Sequence, residues 1–186
     1  GIFEMVKKRA PWLAVLFIGE MFTSVAMQNY GGEIQEVVVL AFFVPLILSS
    51  GGNSGSQATS LIIRAMALND VLLRDWWRVL RRELATGFLL GCILAAVGMA
   101  RVFIWQFLHL AGPTGYGANY LMLSLTIGVS LVCVVLWGSL VGAMLPMFLR
   151  LIRLDPAVCS APFVATLVDV TGIVIFFNVA KHILHL

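Results

Sequence analysis

Five long apolar segments follow one another along the chain, and short polar connections separate them. Each segment has the roughly 20 residues or more that an α-helix needs to cross the hydrocarbon core of a bilayer. The pattern therefore predicts an all-α integral membrane protein with five transmembrane helices per subunit. The expected spans cover residues of about 11–30, 37–64, 84–110, 119–149 and 156–184.

A different pattern occupies residues 68–82, which read LNDVLLRDWWRVLRR. Large apolar side chains and paired tryptophans alternate there with arginines, which is typical of an amphipathic helix in the headgroup region. We expect this segment to be an interfacial connector helix between spans two and three. The connection AGPTGYGAN, at 111–119, is rich in turn-forming residues and predicts a loop.

The composition excludes a soluble protein. Hydrophobic residues make up 61% of the chain and charged residues 11%, whereas soluble domains are about a quarter charged. A water-soluble enzyme with one buried core is therefore ruled out. The net charge of +3 comes from basic residues beside the apolar spans, so we relate it to membrane orientation and expect no nucleic-acid partner.

Most basic residues fall at one end of the expected helices. Ten of the twelve would share this end, namely Lys7, Lys8, Arg9, Arg64, Arg74, Arg78, Arg81, Arg82, Arg150 and Arg153. The positive-inside rule places that end in the cytoplasm. We expect a multi-pass protein of the cell membrane, with a cytoplasmic N-terminus and, after five spans, an extracytoplasmic C-terminus.

Asp169 is the clearest candidate among the ionisable residues, because it is expected near the bilayer midplane. It lies about thirteen residues into span five, or about 20 Å from its start. A charged Asp at this depth costs roughly 2.5 to 3.5 kcal/mol on insertion scales, so it needs a partner or a purpose. Pro162, Ala165, Thr166 and Gly172 share its helix face, and this small, polar stripe lets another backbone or a hydrated ion approach closely. The alternative is a protonated carboxyl hydrogen-bonded to a neighbouring helix.

Two further acidic residues lie at or near the spans. Asp155 precedes Asp169 by fourteen residues, which is about 21 Å along one helix, and would mark the entrance of a pathway. Its alternative role is the N-cap of span five, with Pro156 at the first helical position. Glu20 in span one is a second acidic candidate, which either pairs with Arg101 or a buried amide or lines an ion route.

Span two contains twelve residues, SSGGNSGSQATS at 49–60, without a large apolar side chain. Part of this stretch predicts helix packing, because small residues four positions apart let helices approach closely. Its polarity exceeds what packing needs. Gly52 and Gly55 are expected to expose carbonyl oxygens to a water-filled cavity, while Asn53 and Gln57 hold waters. Packing alone is expected for the glycine pairs in spans three and four, Gly87/Gly91 and Gly138/Gly142.

The candidate ligands are carboxylates, carbonyls, amides and hydroxyls, without cysteine or histidine at the centre. Oxygen ligands suit a hard cation, and a pathway with few charges suits one that keeps most of its water, such as Mg²⁺.

Two long motifs carry a resemblance to a known family. FFVPLILSSGGNSGSQATSLIIRAMA in span two and RLDPAVCSAPFVATLVDVTG in span five, together with RRELATG, resemble the membrane domain of the MgtE magnesium channels and transporters and their eukaryotic solute-carrier relatives. The resemblance implies that residues 1–186 form one MgtE-like transmembrane domain without the family's N-domain or CBS domains. It also implies a homodimer, with a cation pore on the two-fold axis lined by spans two and five.

The resemblance further implies which residues meet the transported Mg²⁺. Asp169 from both subunits would coordinate the hydrated ion. The resemblance also suggests backbone oxygens around the ion from Gly52, Gly55, Ala165 and Gly172, and Asp155 is similar to the family's acidic residue at the cytoplasmic end of span five. We expect Asp155 to line the pore together with Asn53 and Gln57 of the polar stretch and Thr166 of the Asp169 face. Ala161 departs from the family, in which some members carry a polar residue at that position.

Three functions are compatible with these residues. Magnesium transport through a pore, without enzymatic activity, is the first. A Na⁺- or H⁺-coupled divalent cation exchanger, in which Asp169 or Glu20 titrates, is the second. The third is an intramembrane aspartyl protease, because residues 169–172 read DVTG and Asp155 offers a second carboxyl. A protease dyad needs carboxyls a few Å apart, which the expected helical separation denies within one subunit.

Overall fold

The computed structural model describes residues 1–110, 116–117, 119–156 and 160–185, excluding the side chains at 35 and 36. These residues form five long helices with two short ones between them. The helices are α1 (Ile2–Asn29), α2 (Gly31–Glu36), α3 (Val39–Ala67), α4 (Trp76–Phe107), α5 (Tyr120–Leu151) and α6 (Ala161–Leu184), and a 3₁₀ turn, Leu73–Asp75, precedes α4. The five long helices are long and apolar enough to span a membrane, which confirms the predicted all-α, five-span architecture.

The connector helix predicted over residues 68–82 is wrong. Residues 76–82 form the first turns of α4, which continues without interruption to Phe107. No proline lies within α4, so nothing breaks its backbone hydrogen bonding where the arginines give way to apolar residues. Within residues 68–82, only those before the 3₁₀ turn are non-helical. Asn69 lies there, just after the end of α3, and has a φ of 60°. A left-handed Asn in this position is a common helix terminator.

Helix α5 is the centre of the bundle, and α3 packs against it at backbone distance. A Cβ placed at Gly138 would run into the carbonyl oxygen of Gly51, and one at Gly142 into that of Gly55. Both helices are therefore packed through paired glycines, as the spacing predicts.

Hydroxyl groups bridge this same α3–α5 seam. The Ser54 and Ser139 hydroxyl oxygens lie 2.6 Å apart, and the Thr59 hydroxyl donates to the Gly142 carbonyl oxygen at 2.8 Å. Such hydrogen bonds are stabilising between membrane helices because the polar groups find no partner in lipid. The polarity of residues 49–60 is thus partly used for packing.

Helix α4 packs against an adjacent face of α5 in a similar way, since Ser139 contacts both α3 and α4. A Cβ at Gly91 would lie 2.8 Å from the Cα of Val132, and one at Gly87 would lie 3.0 Å from the Cβ of Ser139. The packing role predicted for the Gly87/Gly91 pair is therefore confirmed.

The C-terminal end of α6 packs against the junction between α1 and α2. Glu33 and Lys181 form an ion pair with 2.6 Å between Oε1 and Nζ. The Tyr30 ring stacks on Phe177 with the ring centroids 4.8 Å apart, and the Asn178 amide donates to the Tyr30 hydroxyl at 3.1 Å. The hydrogen bond from Lys181 lowers the pKa of Glu33 below its ordinary value.

Replacing Lys181 with Met tests this contact. The Glu33 carboxylate loses its donor, so its pKa is expected to rise towards 4.5, which carboxyl-labelled NMR in detergent micelles measures. Because the folded-state pKa of Glu33 is lowered, the pair stabilises the fold at neutral pH, and that contribution is lost as pH falls through the lowered pKa. Lys181→Met should lack this acid-dependent component.

Lys8→Met is the matched control, because it also removes a lysine from an ion pair. That pair, Lys8–Glu4, is exposed, has 3.7 Å between Nζ and Oε1, and lies at the other end of the molecule. An unchanged Glu33 titration in Lys181→Met would show that the ion pair does not form.

Candidate functional site

Asp169 lies where α6 meets α3. A Cβ placed at Gly52 would lie 3.5 Å from Asp169 Oδ1 and 3.5 Å from the Cβ of Ala165. The bare backbone of Gly52 therefore leaves space in front of the carboxyl group. The Ser56 hydroxyl donates to the Ala161 carbonyl oxygen at 3.1 Å one turn further along, and this bond fixes the register of the two helices. Ser56 was not singled out from the sequence, where it is one serine among several.

A row of polar side chains runs along the outer face of α3. Ser49, Asn53, Gln57 and Ser60 are exposed in the single chain, and at 100° per residue they fall within about 80° of one another. The Asn53 amide has only the Ser49 hydroxyl, at 3.5 Å, among its described partners. Polar side chains on a spanning helix are costly against lipid, so this row is a candidate surface for contact with water or other protein.

Helix α1 brings a second carboxyl towards Asp169. A Cβ at Gly19 would lie 2.7 Å from the Thr166 methyl group, so α1 packs closely on α6 at this position. The next residue, Glu20, accepts a hydrogen bond from the Thr23 hydroxyl at 3.3 Å. Thr166, predicted to line a pore, turns its methyl group to α1. The sequence signal for this contact is a glycine beside a glutamate within an apolar span.

The alternative in which Glu20 pairs with Arg101 is wrong. The Arg101 guanidinium lies over the rings of Phe43 and Trp105, at 5.0 and 5.2 Å from their centroids. Such contacts hold a cation without a carboxylate partner.

Gly55 and Gly172 do not face the Asp169 carboxyl but contact neighbouring helices. A Cβ at Gly55 would lie 3.0 Å from both the Gly138 carbonyl oxygen and Val164, and one at Gly172 would lie 3.0 Å from Leu48. The structure therefore brings Gly52, Ala165 and Asp169 together, whereas Gly55 and Gly172 lie in the seams between helices. Their part in binding an ion stays a prediction.

Asp155 does not cap α6. This helix begins at Ala161, and its N-cap is Ser160, whose hydroxyl accepts the backbone N–H of Phe163 at 3.4 Å. The N-cap alternative for Asp155 is thus wrong. Its expected 21 Å helical spacing from Asp169 also fails, because Asp155 precedes the helix.

Asp155 instead lines a cleft of about 380 Å³ between the ends of α3 and α5. Arg150 shares this cleft and donates to the Met66 carbonyl oxygen at 3.3 Å, which ties the two helix ends together. Asp155 therefore lies at the end of the bundle where most basic residues are found.

The donor set around Asp169 is sparse. No group of three His, Cys, Asp or Glu side chains that suits a metal ion occurs within the described part of the chain. One carboxyl beside helix backbone does not enclose a bare ion. It suits an ion that keeps its water, since Mg²⁺ is commonly bound through one or two carboxylates with several waters retained.

Gly51 and Gly52 are neighbours in α3 but have different surroundings. Gly51 packs tightly against α5, whereas Gly52 faces Asp169. A Cβ at Gly51 would lie 2.5 Å from Val134, whereas the nearest atoms to one at Gly52 are 3.5 Å away. Gly51→Ala should therefore lower the free energy of unfolding by about 1–3 kcal/mol, while Gly52→Ala should leave the fold intact. Both substitutions gain the same helix propensity, so the difference between their thermal unfolding midpoints reports packing. Equal midpoints would contradict the placement of these glycines.

Comparison with known proteins agrees with this architecture. Residues 44–179 match the sequence model of MgtE, described as a divalent cation transporter. The chain is 42% identical over 176 residues to the magnesium transporter MgtE of Thermus thermophilus, which covers 95% of this chain and 36% of that protein. For the magnesium transporter MgtE of Enterococcus faecalis the identity is 32% over 178 residues, covering 96% and 37%. This chain thus spans little more than a third of the length of the curated relatives it matches.

Proposed function

Since the chain belongs to the MgtE family of divalent cation transporters, we propose that it carries Mg²⁺ across the membrane through a pathway whose ion site is Asp169. The observation that carries this proposal is the contact between Gly52 and Asp169, where a carboxyl on a spanning helix faces bare backbone. The family resemblance is confirmed. Because the family consists of transporters, the chain is not an enzyme, and the protease alternative is dropped.

The pathway requires a second copy of the chain. The polar row Ser49, Asn53, Gln57 and Ser60 is exposed in one copy. The Ser60 hydroxyl donates to the Ser56 carbonyl oxygen, but lipid offers no hydrogen-bonding groups to the Asn53 and Gln57 amides. A two-fold homodimer that pairs α3 and α6 across its axis encloses this row in a water-filled pore. Two Asp169 carboxylates then face each other across the axis and balance the charge of one divalent ion.

The ion keeps most of its water in this pore. Mg²⁺ dehydrates reluctantly, so Asp169 binds it largely through its hydration shell. The Asn53 and Gln57 amides hold further waters along the pore, and Gly52 and Ala165 offer backbone oxygens beside the carboxylate. Gly55 and Gly172 hold the surrounding helices at the spacing that this arrangement needs, in addition to their implied place near the ion.

The other two acidic residues act at different depths. Glu20 follows Gly19, which contacts Thr166 of α6, so its carboxylate adds negative potential on this side of the bundle and raises the local concentration of cations. Asp155 lies in the cleft at the basic end of the bundle, where it offers a cation its first carboxylate. This end faces the cytoplasm under the positive-inside rule.

A coupled exchanger is the second candidate. The packing of α1 on α6 favours it, because Gly19 contacts Thr166 and so brings the neighbouring Glu20 to the helix that carries Asp169. Carboxyls on two contacting helices are a place where a proton or Na⁺ exchanges for another cation. Exchange predicts flux that depends on an opposing Na⁺ or H⁺ gradient, whereas a pore needs only the membrane potential.

Magnesium uptake into proteoliposomes, reported by an enclosed Mg²⁺-sensitive dye, tests the ion site. Asp169→Asn removes the charge but keeps the shape, and it should lower potential-driven flux about tenfold or more, as for any loss of about 1.4 kcal/mol at the limiting site. Asp70→Asn is the control, because Asp70 is exposed in the turn after α3 and its substitution should leave flux unchanged. Full flux in Asp169→Asn would refute the assignment.

A further inference from the structure

A hydrogen bond between side chains joins α5 to α6 near the middle of the bundle. The Trp137 indole N–H donates to the Thr171 hydroxyl oxygen at 2.8 Å. That hydroxyl in turn donates to the Leu167 carbonyl oxygen of its own helix, also at 2.8 Å. The single hydroxyl proton of Thr171 is thus used within α6, and the oxygen accepts the bond from α5.

Trp137 lies at an unusual depth for its residue type. It is near the middle of α5, which runs from Tyr120 to Leu151, whereas tryptophans of spanning helices are enriched at the two membrane surfaces. Its side chain is 39% exposed, and lipid offers no acceptor to an indole N–H. Thr171 provides the acceptor, so loss of either partner leaves a polar group unsatisfied within the membrane.

Thr171 and Asp169 lie on nearly opposite sides of α6, because two residues turn a helix by about 200°. Asp169 faces Gly52 of α3, and Thr171 faces Trp137 of α5. Rotation of α6 about its axis would therefore break the bond to Trp137 and move the Asp169 carboxyl away from Gly52 at the same time. The two contacts are linked through the helix.

Other hydrogen bonds hold α6 further from the carboxyl. The bond to the Ala161 carbonyl oxygen lies eight residues before Asp169, and the bond from Asn178 to α1 lies nine residues after it. Closer contacts of α6 are apolar packing, which has no preferred direction. Among the hydrogen bonds that the structure describes between α6 and its neighbours, the one from Trp137 is nearest to Asp169.

We propose that Trp137 and Thr171 are a positioning pair, which holds the rotation of α6 so that the Asp169 carboxyl faces α3 and meets the transported ion. Neither side chain touches the ion, and both act through the helix. The part of this inference that concerns the ion rests on the proposed function of Asp169. The orientation of α6 can be measured without any transport.

Disulfide crosslinking measures this orientation. The Cβ atoms of a Gly52→Cys/Ala165→Cys pair would lie 3.5 Å apart, which is within the range of a disulfide. The pair is introduced into the full chain after the native cysteines are replaced with alanine, and its oxidation rate in proteoliposomes is followed by labelling the remaining thiols. Thr171→Val keeps the shape but accepts no hydrogen bond. It should slow crosslinking about three- to tenfold, as for one hydrogen bond between membrane helices.

Three further variants separate the hydrogen bond from general damage. Trp137→Phe removes the same bond from the side of α5 and should slow crosslinking to a similar extent. Thr171→Ser retains the hydroxyl and should restore the rate. Thr126→Val is the matched control, because the Thr126 hydroxyl donates within α5, to the Met122 carbonyl oxygen, and its loss should leave the rate unchanged.

Magnesium flux without the introduced cysteines tests the effect on the ion site. Thr171→Val and Trp137→Phe should raise the Mg²⁺ concentration for half-maximal flux about three- to tenfold, whereas Thr171→Ser should not. A merely structural role would lower the maximal flux and the unfolding temperature but leave the half-maximal concentration unchanged. The two variants alter different helices, so the one that stays folded by circular dichroism decides the test.

Two results would overturn the proposal. One is an unchanged crosslinking rate in Thr171→Val and Trp137→Phe, whatever the transport data. The other is slower crosslinking with an unchanged half-maximal Mg²⁺ concentration, because the pair would then orient α6 without affecting the ion site. Full flux in Asp169→Asn would instead contradict the proposed function, and slower crosslinking would still support the control of α6 by the pair.

Discussion

The rest of the bundle depends on the close contact between α3 and α5. Paired glycines allow the two backbones to touch, and the Ser54–Ser139 and Thr59–Gly142 hydrogen bonds satisfy hydroxyl groups inside the seam. A helix with twelve consecutive small or polar residues has little affinity for lipid, so its place in the membrane comes from this packing. Helix α3 is thereby fixed with one polar face against α5 and the other turned outward.

The fixed orientation of α3 determines where the carboxyl of α6 lies. Helix α6 packs against α3 through Gly52 and Ser56, and α1 packs against α6 through Gly19. Asp169 therefore lies where three helices meet, with space in front of it rather than a fixed donor. This arrangement provides a carboxylate within a membrane while leaving it available to a hydrated cation, which is the property that the proposed transport needs.

Much of the fold was predictable, because a bilayer fixes the length and apolar character of every span. The start of α4 was not predictable. The change from arginine-rich to apolar sequence after Arg82 marks the membrane surface but does not end a helix. The contact of Asp169 with span two was implied by the family resemblance. The Glu20–Arg101 pair failed because opposite charges in two spans do not reveal which helices touch, and Asp155 failed as a cap because Ser160 offers a competing cap five residues later.

The central claim is that the outer polar face of α3 lines a water-filled cation pathway in the membrane. Cysteine accessibility measures this directly, after Cys92, Cys133 and Cys159 are replaced with alanine. Asn53→Cys in proteoliposomes should react with a charged, membrane-impermeant thiol reagent, and Mg²⁺ should slow the reaction. Leu89→Cys, 62% exposed on the apolar face of α4, should not react. An Asn53→Cys variant as unreactive as Leu89→Cys would contradict the account.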